Sequence, residues 1–415
     1  MRVLVWATHL QTDILAVAAY LDRSPDVDLL IVTPGADVFL REPYARLKPF
    51  SAPVLDRDDP ATHDRVMAFR ADIAVADNHV PPRGYAQRLF YMWHGLGWKA
   101  RSRLDLHVFY HQVQQLTGVD PRTPNSSFLA QCYGPTDQEW RVSNWGLPHS
   151  ACAPVGMAFS DLLLQPPYSK QDIASEFRID VMRRKTVALA ITWHYAGIFA
   201  RQPKFGRLAG SISSWHAYQN DLRFLRRTIE LVQKRGANLL ICLHDRHRYD
   251  PRFLEMVYSV AGESDMVEIR FKSEHPDNLA DLLVADVMIS NLSSFISYFY
   301  VLGRPAIHIL PAQGDVVERA TMLFSRFRMN MRVRNGSAWM LDPRDVGGST
   351  AANSEEALQQ LKAVLHEPTS GEKATAWLRR HVPLVDGKAA ERAHHFLRQM
   401  AGGKDHHELS QFSSG

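Results

Sequence analysis

The feature that most constrains this chain is an alternation of short apolar runs with segments of helical periodicity. Apolar runs that could form strands include Asp28–Thr33, Asn238–Leu243 and Val287–Ser290. Between such runs, apolar residues recur three and four positions apart, as from Leu222 to Val232. Continuous apolar strands that alternate with helices are typical of parallel sheets covered on both faces. Further predicted strands are Arg2–Ala7, Asp72–Asp77, Leu89–His94, Val187–Thr192 and Ala306–Leu310.

This pattern breaks once and then restarts, which predicts two domains. The 415 residues exceed the ~250–300 at which a single core stops growing. The predicted divisions are an N-terminal Rossmann-like domain at 1–161, a linker at 162–186, a second Rossmann-like domain at 187–385, a C-terminal helix at 386–401 and a flexible tail at 402–415. Two doubly wound domains of this kind would face each other across a cleft.

Composition and missing motifs narrow the function classes. The net charge of +4 is too small for a dedicated nucleic-acid binder, but it suits anionic substrates and leaves peripheral contact with an anionic membrane open. Three widely spaced cysteines argue against a disulfide framework or a zinc–thiolate site, and they fit a reducing cytoplasm. The sequence has no Walker lysine motif, no Gly-x-Ser-x-Gly elbow and no His-Glu-x-x-His, and no acidic metal pair is evident. We therefore expect no cofactor and no bound metal.

One predicted strand ends at a histidine, and another is followed directly by one. In open α/β sheets, ligands bind beyond the carboxyl ends of the strands. The segment WHGLGWK places His94, Gly95 and Lys99 at such an end, where glycine lets a backbone amide approach a ligand and lysine adds positive charge. The segment LHDRH places His244 beside Arg246 in the same way. An imidazole at such a position can transfer a proton, although histidine and arginine are also common in surface loops.

Two further strands end in hydroxyl or amide side chains. Asn291, Ser293 and Ser294 follow the run VMIS and precede the apolar segment Phe295–Leu302. If that segment is helical, its first amides and the serine hydroxyls offer a phosphate site, although serine also caps helices that bind nothing. Thr192 ends the run VALAIT and is the weaker signal.

These segments, in this order, resemble the CDP-glycerol glycerophosphotransferase family of teichoic-acid and capsule synthesis. WHGLGWK is similar to the family's Trp-His-Gly-Thr-Pro-x-Lys loop, and LHDRH stands where the family has its second histidine. The stretch that ends at Asn291–Ser294 resembles the family's Asp-Tyr-Ser-Ser, and Gly303–Pro305 follows at the family's spacing. The likeness covers residues 70–400.

The resemblance implies a GT-B fold and transfer of glycerol phosphate, or a related polyol phosphate, from CDP-glycerol to a hydroxyl of a lipid-linked or polymeric glycan. CMP would be released. It implies that His94 is the general base and that His244 stabilises the leaving CMP. The expected donor- and phosphate-binding residues are Ser293, Ser294, Arg246, Lys99, Gly95, Thr192 and Asn291. CDP-glycerol enters as a substrate, so no cofactor is implied.

Three other functions stay open at this point. A sugar transferase could use the same scaffold with a nucleotide sugar, since fold does not decide function. A nucleotide-sugar 2-epimerase would need a carboxylate, and Asp245 is the one convincing candidate in these segments. A nucleotide-binding protein without catalysis is the third. The expected location is the cytoplasm, including the inner face of the plasma membrane.

Overall fold

The computed structural model describes residues 1–93, 95–98, 103–191, 222–246, 249, 251–262, 264–275, 278–291, 293–310, 340–367 and 371–402. These residues form two compact units. Unit 1 consists of the described residues within 1–96, 101–167 and 378–415, and unit 2 of those within 97–100 and 168–377. The chain thus enters unit 2 briefly at Gly97, well before the main body of that unit begins.

Unit 1 contains a parallel sheet of seven strands in the order β3-β2-β1-β4-β5-β6-β7. The strands are β1 (Arg2–Trp6), β2 (Asp28–Thr33), β3 (Val54–Asp56), β4 (Ala71–Asp77), β5 (Ala86–Met92), β6 (Phe128–Cys132) and β7 (Cys152–Pro154). Val3 of β1 pairs with Leu29 on one side and Ile73 on the other. These central strands are buried because helices cover both faces of the sheet.

The helices of unit 1 follow the strands in alternation. They are α1 (Thr12–Asp22), α2 (Tyr44–Leu47), α3 (Ala61–Phe69), α4 (Arg103–Thr117), α5 (Pro135–Trp140) and α6 (Phe159–Leu164). Helix α1 is apolar and almost wholly buried, and the carboxylate of Asp13 lies in its first turn. A carboxylate at that end of a helix interacts favourably with the helix dipole.

Unit 2 repeats the architecture with six parallel strands in the order β10-β9-β8-β11-β12-β13. The strands are β8 (Thr186–Ala190), β9 (Asn238–Leu243), β10 (Val267–Phe271), β11 (Val287–Ser290), β12 (Ala306–Ile309) and β13 (Ser349–Ala351). Its helices are α7 (Lys170–Ile173), α8 (Leu222–Lys234), α9 (Pro251–Ala261), α10 (Asn278–Val284), α11 (Phe295–Phe299) and α12 (Ser354–His366). The predicted parallel α/β fold is therefore confirmed.

The chain returns to unit 1 through its last two helices, α13 (Glu372–His381) and α14 (Ala389–Gly402). Helix α14 corresponds to the predicted helix 386–401, and the predicted tail beyond Gly402 lies outside the described residues. The carboxylate of Asp161 accepts hydrogen bonds from the backbone amides of Ala389 (3.2 Å) and Ala390 (2.8 Å). These bonds satisfy amides that the first turn of α14 leaves unpaired.

Each sheet reverses its strand order beside its first strand, at β1 in unit 1 and at β8 in unit 2. Ligands of open α/β sheets bind at such switch points, beyond the carboxyl ends of the strands. In unit 2, β9 and β11 flank β8, and the residues that follow these two strands form one candidate site region. In unit 1 the candidate region is the loop after β5, where the sequence predicts a histidine segment, with the residues that follow the neighbouring strand β6. None of the helices in the described ranges combines the length and the apolar composition that a membrane-spanning segment requires.

Candidate functional site

The loop after β5 carries the first predicted histidine segment. His94 and Lys99 lie outside the described residues, but the residues between them are described. Gly95 has φ +107°, a conformation that side-chain-bearing residues rarely adopt. Its backbone N–H donates a hydrogen bond to the Tyr133 hydroxyl over 2.7 Å. This amide, predicted to face a phosphate, is thus engaged inside unit 1.

Tyr133 is itself held by a buried carboxylate. Its hydroxyl donates to Oδ2 of Asp13 over 2.6 Å, and Oδ1 of Asp13 accepts the backbone N–H of Phe159 over 2.7 Å. Asp13 is fully buried and Tyr133 is 1% exposed. Sequence reasoning passed over both residues, although an aspartate directly before the mostly apolar run from Ile14 to Leu21 was a usable signal.

The second half of the same loop belongs to unit 2. A Cβ atom placed on Gly97 would lie 3.4 Å from Cβ of Ser294, so the loop backbone passes close beside the predicted serine segment. Trp98 is fully buried, and its indole Nε1–H donates to the carbonyl oxygen of Asp345 over 2.9 Å. The structure thus brings residues of two predicted segments, Gly97 and Ser294, together within one unit.

His244 follows β9 and is partly exposed. Its Nδ1 atom lies 2.9 Å from Oδ2 of Asp245 and 2.8 Å from the Asp245 backbone nitrogen. A neutral ring satisfies only one of these contacts, since the carboxylate requires a proton on Nδ1 and the backbone N–H requires a lone pair. We assign the proton to Nδ1 because the Asp245 carboxylate is buried and is stabilised by a donor. Nε2 is then the nitrogen that can accept a proton.

The loop of His244 is stabilised by two further hydrogen bonds. The backbone N–H of His244 donates to the Tyr249 hydroxyl over 2.8 Å, and the backbone N–H of Arg246 donates to the Ser273 hydroxyl over 3.2 Å. A histidine whose ring faces a carboxylate on one side and whose backbone is fixed keeps a defined ring orientation. That arrangement suits a proton-transfer or charge-stabilising role for the imidazole.

Arg246, predicted to bind phosphate, is engaged within unit 2. Its Nη2 atom lies 2.9 Å from Oε2 of Glu274, and its Nη1 atom lies 3.0 Å from the Tyr258 hydroxyl. The guanidinium also stacks 3.9 Å from the centre of the Phe271 ring. Hydrogen bonding to Arg246 lowers the pKa of the Glu274 carboxyl below its usual value. A phosphate contact by Arg246 would therefore compete with an existing ion pair.

The serine segment follows β11. Asn291 is buried, and the hydroxyl oxygen of Ser293 accepts the backbone N–H of Phe295 over 3.3 Å. Helix α11 is five residues long and continues as a 3₁₀ turn at Tyr300–Leu302, so its dipole is weaker than that of a full helix. Any anion bound here would rely mainly on local hydroxyl and amide donors.

The order of the strands places two of the predicted regions on one edge. Strands β9 and β11 lie on either side of β8, so His244 and Asn291 both follow the carboxyl edge of the same sheet around its switch point. Thr192, which follows β8, lies outside the described residues. In the described part of unit 2, this edge combines a carboxylate-backed imidazole with amide and hydroxyl groups. Such a set can bind an anion and stabilise charge on a leaving group.

Comparisons with known proteins identify the fold. Protein-family models give no match, and a search of curated proteins gives none. Among solved structures, the chain is similar to the wall teichoic acid polymerase TagF, with a TM-score of 0.64 and 13% identity over 97% of this chain and 89% of that one. The solved TagF structures include two histidine variants, and one of these variants was also solved after two soaks with CDPG.

Epimerases form a second group of similar structures. A putative UDP-N-acetylglucosamine 2-epimerase from Listeria monocytogenes has a TM-score of 0.52 and 13% identity, over 98% of both chains. A second UDP-N-acetylglucosamine 2-epimerase structure has a TM-score of 0.51 and 12% identity, over 97% of this chain and 96% of that one. These neighbours are enzymes with the GT-B fold, and the likeness establishes that fold for this chain.

Proposed function

We propose that this protein is a transferase that moves glycerol phosphate, or a related polyol phosphate, from CDP-glycerol to a hydroxyl of a lipid-linked or polymeric glycan. The observation that carries the proposal is the carboxyl edge of unit 2, where His244, backed by Asp245, shares the switch point with Asn291. The fold shared with TagF over 97% of the chain and the resemblance of the histidine segments support the same reaction.

The reaction needs two histidine roles. The acceptor hydroxyl oxygen attacks the β-phosphorus of CDP-glycerol, the bond from that phosphorus to the bridging oxygen breaks, and CMP leaves. In this proposal His94 takes the proton of the attacking hydroxyl, and His244 stabilises the charge that develops on the leaving phosphate. Phosphoryl transfer depends mainly on positioning and charge stabilisation, which these groups can supply without a metal ion.

The other predicted residues fit around those roles. Ser293, Ser294 and Thr192 would donate to the diphosphate, and Lys99 would offset its charge. Gly95 would contribute through its backbone, because its positive φ lets the loop turn at this position. Asn291 is buried directly beyond β11 and would orient the donor-facing backbone.

Arg246 could bind a phosphate only if its ion pair with Glu274 were broken first. The pair has a second contact in which Nε of Arg246 donates to Oε1 of Glu274. We therefore propose that Arg246 acts mainly by bracing the loop of His244. A lipid-linked acceptor would place the enzyme at the inner face of the membrane.

A donor screen tests this proposal. The purified full chain is incubated with CDP-glycerol or with UDP-sugars, each with and without a lipid-linked glycan acceptor, and released CMP and UDP are measured. Release of CMP that depends on acceptor supports the transferase. Release of UDP alone would refute it in favour of a sugar transferase.

The second candidate is a nucleotide-sugar 2-epimerase, which the near-complete coverage of two epimerase structures favours. In that case Asp245 would be the candidate catalytic carboxylate. Its contact with Nδ1 of His244, however, indicates that it orients the imidazole rather than reacting itself. Conversion of a UDP-sugar without any acceptor would identify this activity. The same incubations distinguish the two candidates.

A further inference from the structure

We propose that Tyr133 and Asp13 are positioning residues that fix the loop carrying the catalytic base. The catalytic part of this inference rests on the proposed function, in which residue 94 is that base. Neither residue belongs to a segment that resembles the glycerophosphotransferase motifs. Both act on the loop through hydrogen bonds within unit 1.

The hydrogen bonds form a chain with one consistent direction. The hydroxyl of Tyr133 has a single proton, which it donates to Oδ2 of Asp13 over 2.6 Å. The hydroxyl oxygen can then accept the N–H of Gly95 over 2.7 Å. The other oxygen of Asp13 accepts the N–H of Phe159 over 2.7 Å. Each of these donors has an acceptor, and the direction of the tyrosine proton is set by the carboxylate.

Burial makes this series of hydrogen bonds rigid. Asp13 is 0% exposed and Tyr133 is 1% exposed, so water cannot replace either partner without opening the fold. A buried donor or acceptor without its partner costs about 1–3 kcal/mol, which disfavours alternative loop positions. Networks of this kind have few competing arrangements when they are fully satisfied.

A second contact holds the other side of the same loop. The backbone N–H of Trp93 donates to Oε1 of Gln131 over 3.4 Å, and Nε2 of the same glutamine donates to the carbonyl oxygen of Gly156 over 2.8 Å. Gln131 is fully buried in β6, and Tyr133 follows that strand directly. The end of β6 thus holds backbone amides on both sides of residue 94.

The covalent geometry of the chain transmits this support. The N–H of Gly95 lies in the planar peptide group that also contains Cα of residue 94. Fixing that N–H therefore restricts the backbone from which the imidazole projects. A displacement of about 1 Å in a catalytic group can cost about 100-fold in rate. The expected effect of losing the support is a lower kcat, with the KM for the donor little changed.

The test compares Tyr133→Phe with Tyr85→Phe in the full-length protein. Tyr85 is a matched control because it is also buried in unit 1 and its hydroxyl makes a side-chain hydrogen bond, with Nδ1 of His63 at 2.9 Å. Two quantities are measured in each protein. They are the amide hydrogen exchange of peptides that cover residues 93–98, and kcat and KM for CMP release.

We expect Tyr133→Phe to raise exchange in peptides 93–98 about tenfold and to lower kcat about tenfold or more, with KM within about twofold. Tyr85→Phe should leave both readouts at the wild-type values. The variant Asp13→Asn has only one side-chain oxygen, so it cannot accept from both the Tyr133 hydroxyl and the Phe159 N–H in the present arrangement. It should reproduce the Tyr133→Phe result. It replaces Tyr133→Phe in the test if that variant is unstable.

Two results would overturn the inference. One is wild-type exchange and kcat in Tyr133→Phe, and the other is an equal loss in the Tyr85→Phe control. If the wild-type protein releases no CMP from CDP-glycerol, the proposed function fails on that result alone. The exchange rates then decide by themselves whether Tyr133 holds the loop.

Discussion

The indole nitrogen of Trp98 and the carbonyl oxygen of Asp345 lie 2.9 Å apart in the interior of unit 2, although 247 positions separate the two residues in sequence. The Nε1–H of Trp377 donates to the same oxygen over 3.0 Å, and the two indole rings are 5.7 Å apart. The backbone carbonyl of Trp98 also accepts the N–H of Met340 over 2.7 Å. Trp98 is thus a core residue of the unit.

This burial predicts a large stability effect. Trp98→Ala should lower the free energy of unfolding of unit 2 by about 3–5 kcal/mol, since it removes a fully buried aromatic side chain. Trp98→Phe should cost about half as much, because it retains most of the ring. Chemical denaturation monitored by fluorescence measures both. Trp140→Ala, at a half-buried position of unit 1, is the control, and an equal loss there would contradict the assignment.

The contact between His244 and Asp245 predicts graded losses of activity. His244→Ala should lower kcat for CMP release by about 10²–10⁴-fold, as is typical for removal of a catalytic imidazole. Asp245→Asn should lower it by about 10–100-fold, because the ring loses its orienting carboxylate. Initial rates of CMP release measure both variants.

The control for this pair is His366→Ala, which removes an exposed histidine at the end of α12 in the same unit. It should keep the wild-type rate. Wild-type turnover in His244→Ala would exclude the proposed role of that imidazole. A kcat for Asp245→Asn equal to that of the wild type would exclude the orienting role of the carboxylate.

His308 predicts a loss of stability in acid. Burial lowers the pKa of its imidazole from 6.5 to about 3, and the ring contacts the hydroxyl of Tyr300. Between pH 6.5 and pH 3, His308 binds a proton in the unfolded chain but not in the folded protein. The neutral imidazole therefore contributes its full stability above pH 6.5, and this contribution is lost as the pH falls toward 3. From pH 7 to pH 5 this amounts to about 2 kcal/mol.

The variant that checks this is His308→Gln, which has no titrating group at that position. The difference in unfolding free energy between pH 7 and pH 5 should be about 2 kcal/mol smaller in the variant than in the wild type. Denaturant unfolding at both pH values gives that difference. An unchanged acid sensitivity would show that another group is responsible.

Close packing of the C-terminal segment on unit 1 predicts the effect of a small substitution. A Cβ atom on Gly134 would lie 2.5 Å from the carbonyl oxygen of His381 and 2.8 Å from Cδ of Pro383. Gly134→Ala should therefore destabilise this contact by about 1–3 kcal/mol and increase proteolysis near residue 381. Gly402→Ala, which has open space around it, should leave thermal unfolding and proteolysis unchanged.

Much of the fold could be predicted from the sequence because buried parallel strands have a simple pattern. Strands β2, β9 and β11 have the predicted bounds, since each is a continuous apolar run. Strand β5 begins three residues earlier than predicted and ends two residues earlier, because polar Gln87 and Arg88 belong to it. Strands β3, β7 and β13 have three residues each, too few to form a recognisable pattern.

The candidate site was predictable only in part. His244 and the serine segment follow strand ends, which local sequence reveals. The support of Gly95 by Tyr133 and Asp13 joins residues 38 and 120 positions apart, and no local pattern encodes such a contact. The ion pair of Arg246 with Glu274 was hidden for the same reason, because the two residues come from different strand ends.

The place of Trp98 in unit 2 has a consequence for dissecting the protein. A fragment that starts at residue 168 and ends at residue 377 would have all of the β8–β13 sheet but not this indole. The fragment would have an empty hole beside Trp377 and His308, lined by rings that pack on Trp98 in the intact chain. Expressed separately, the 168–377 fragment of unit 2 should therefore fold poorly unless residues 97–100 are supplied as a peptide that fills the hole.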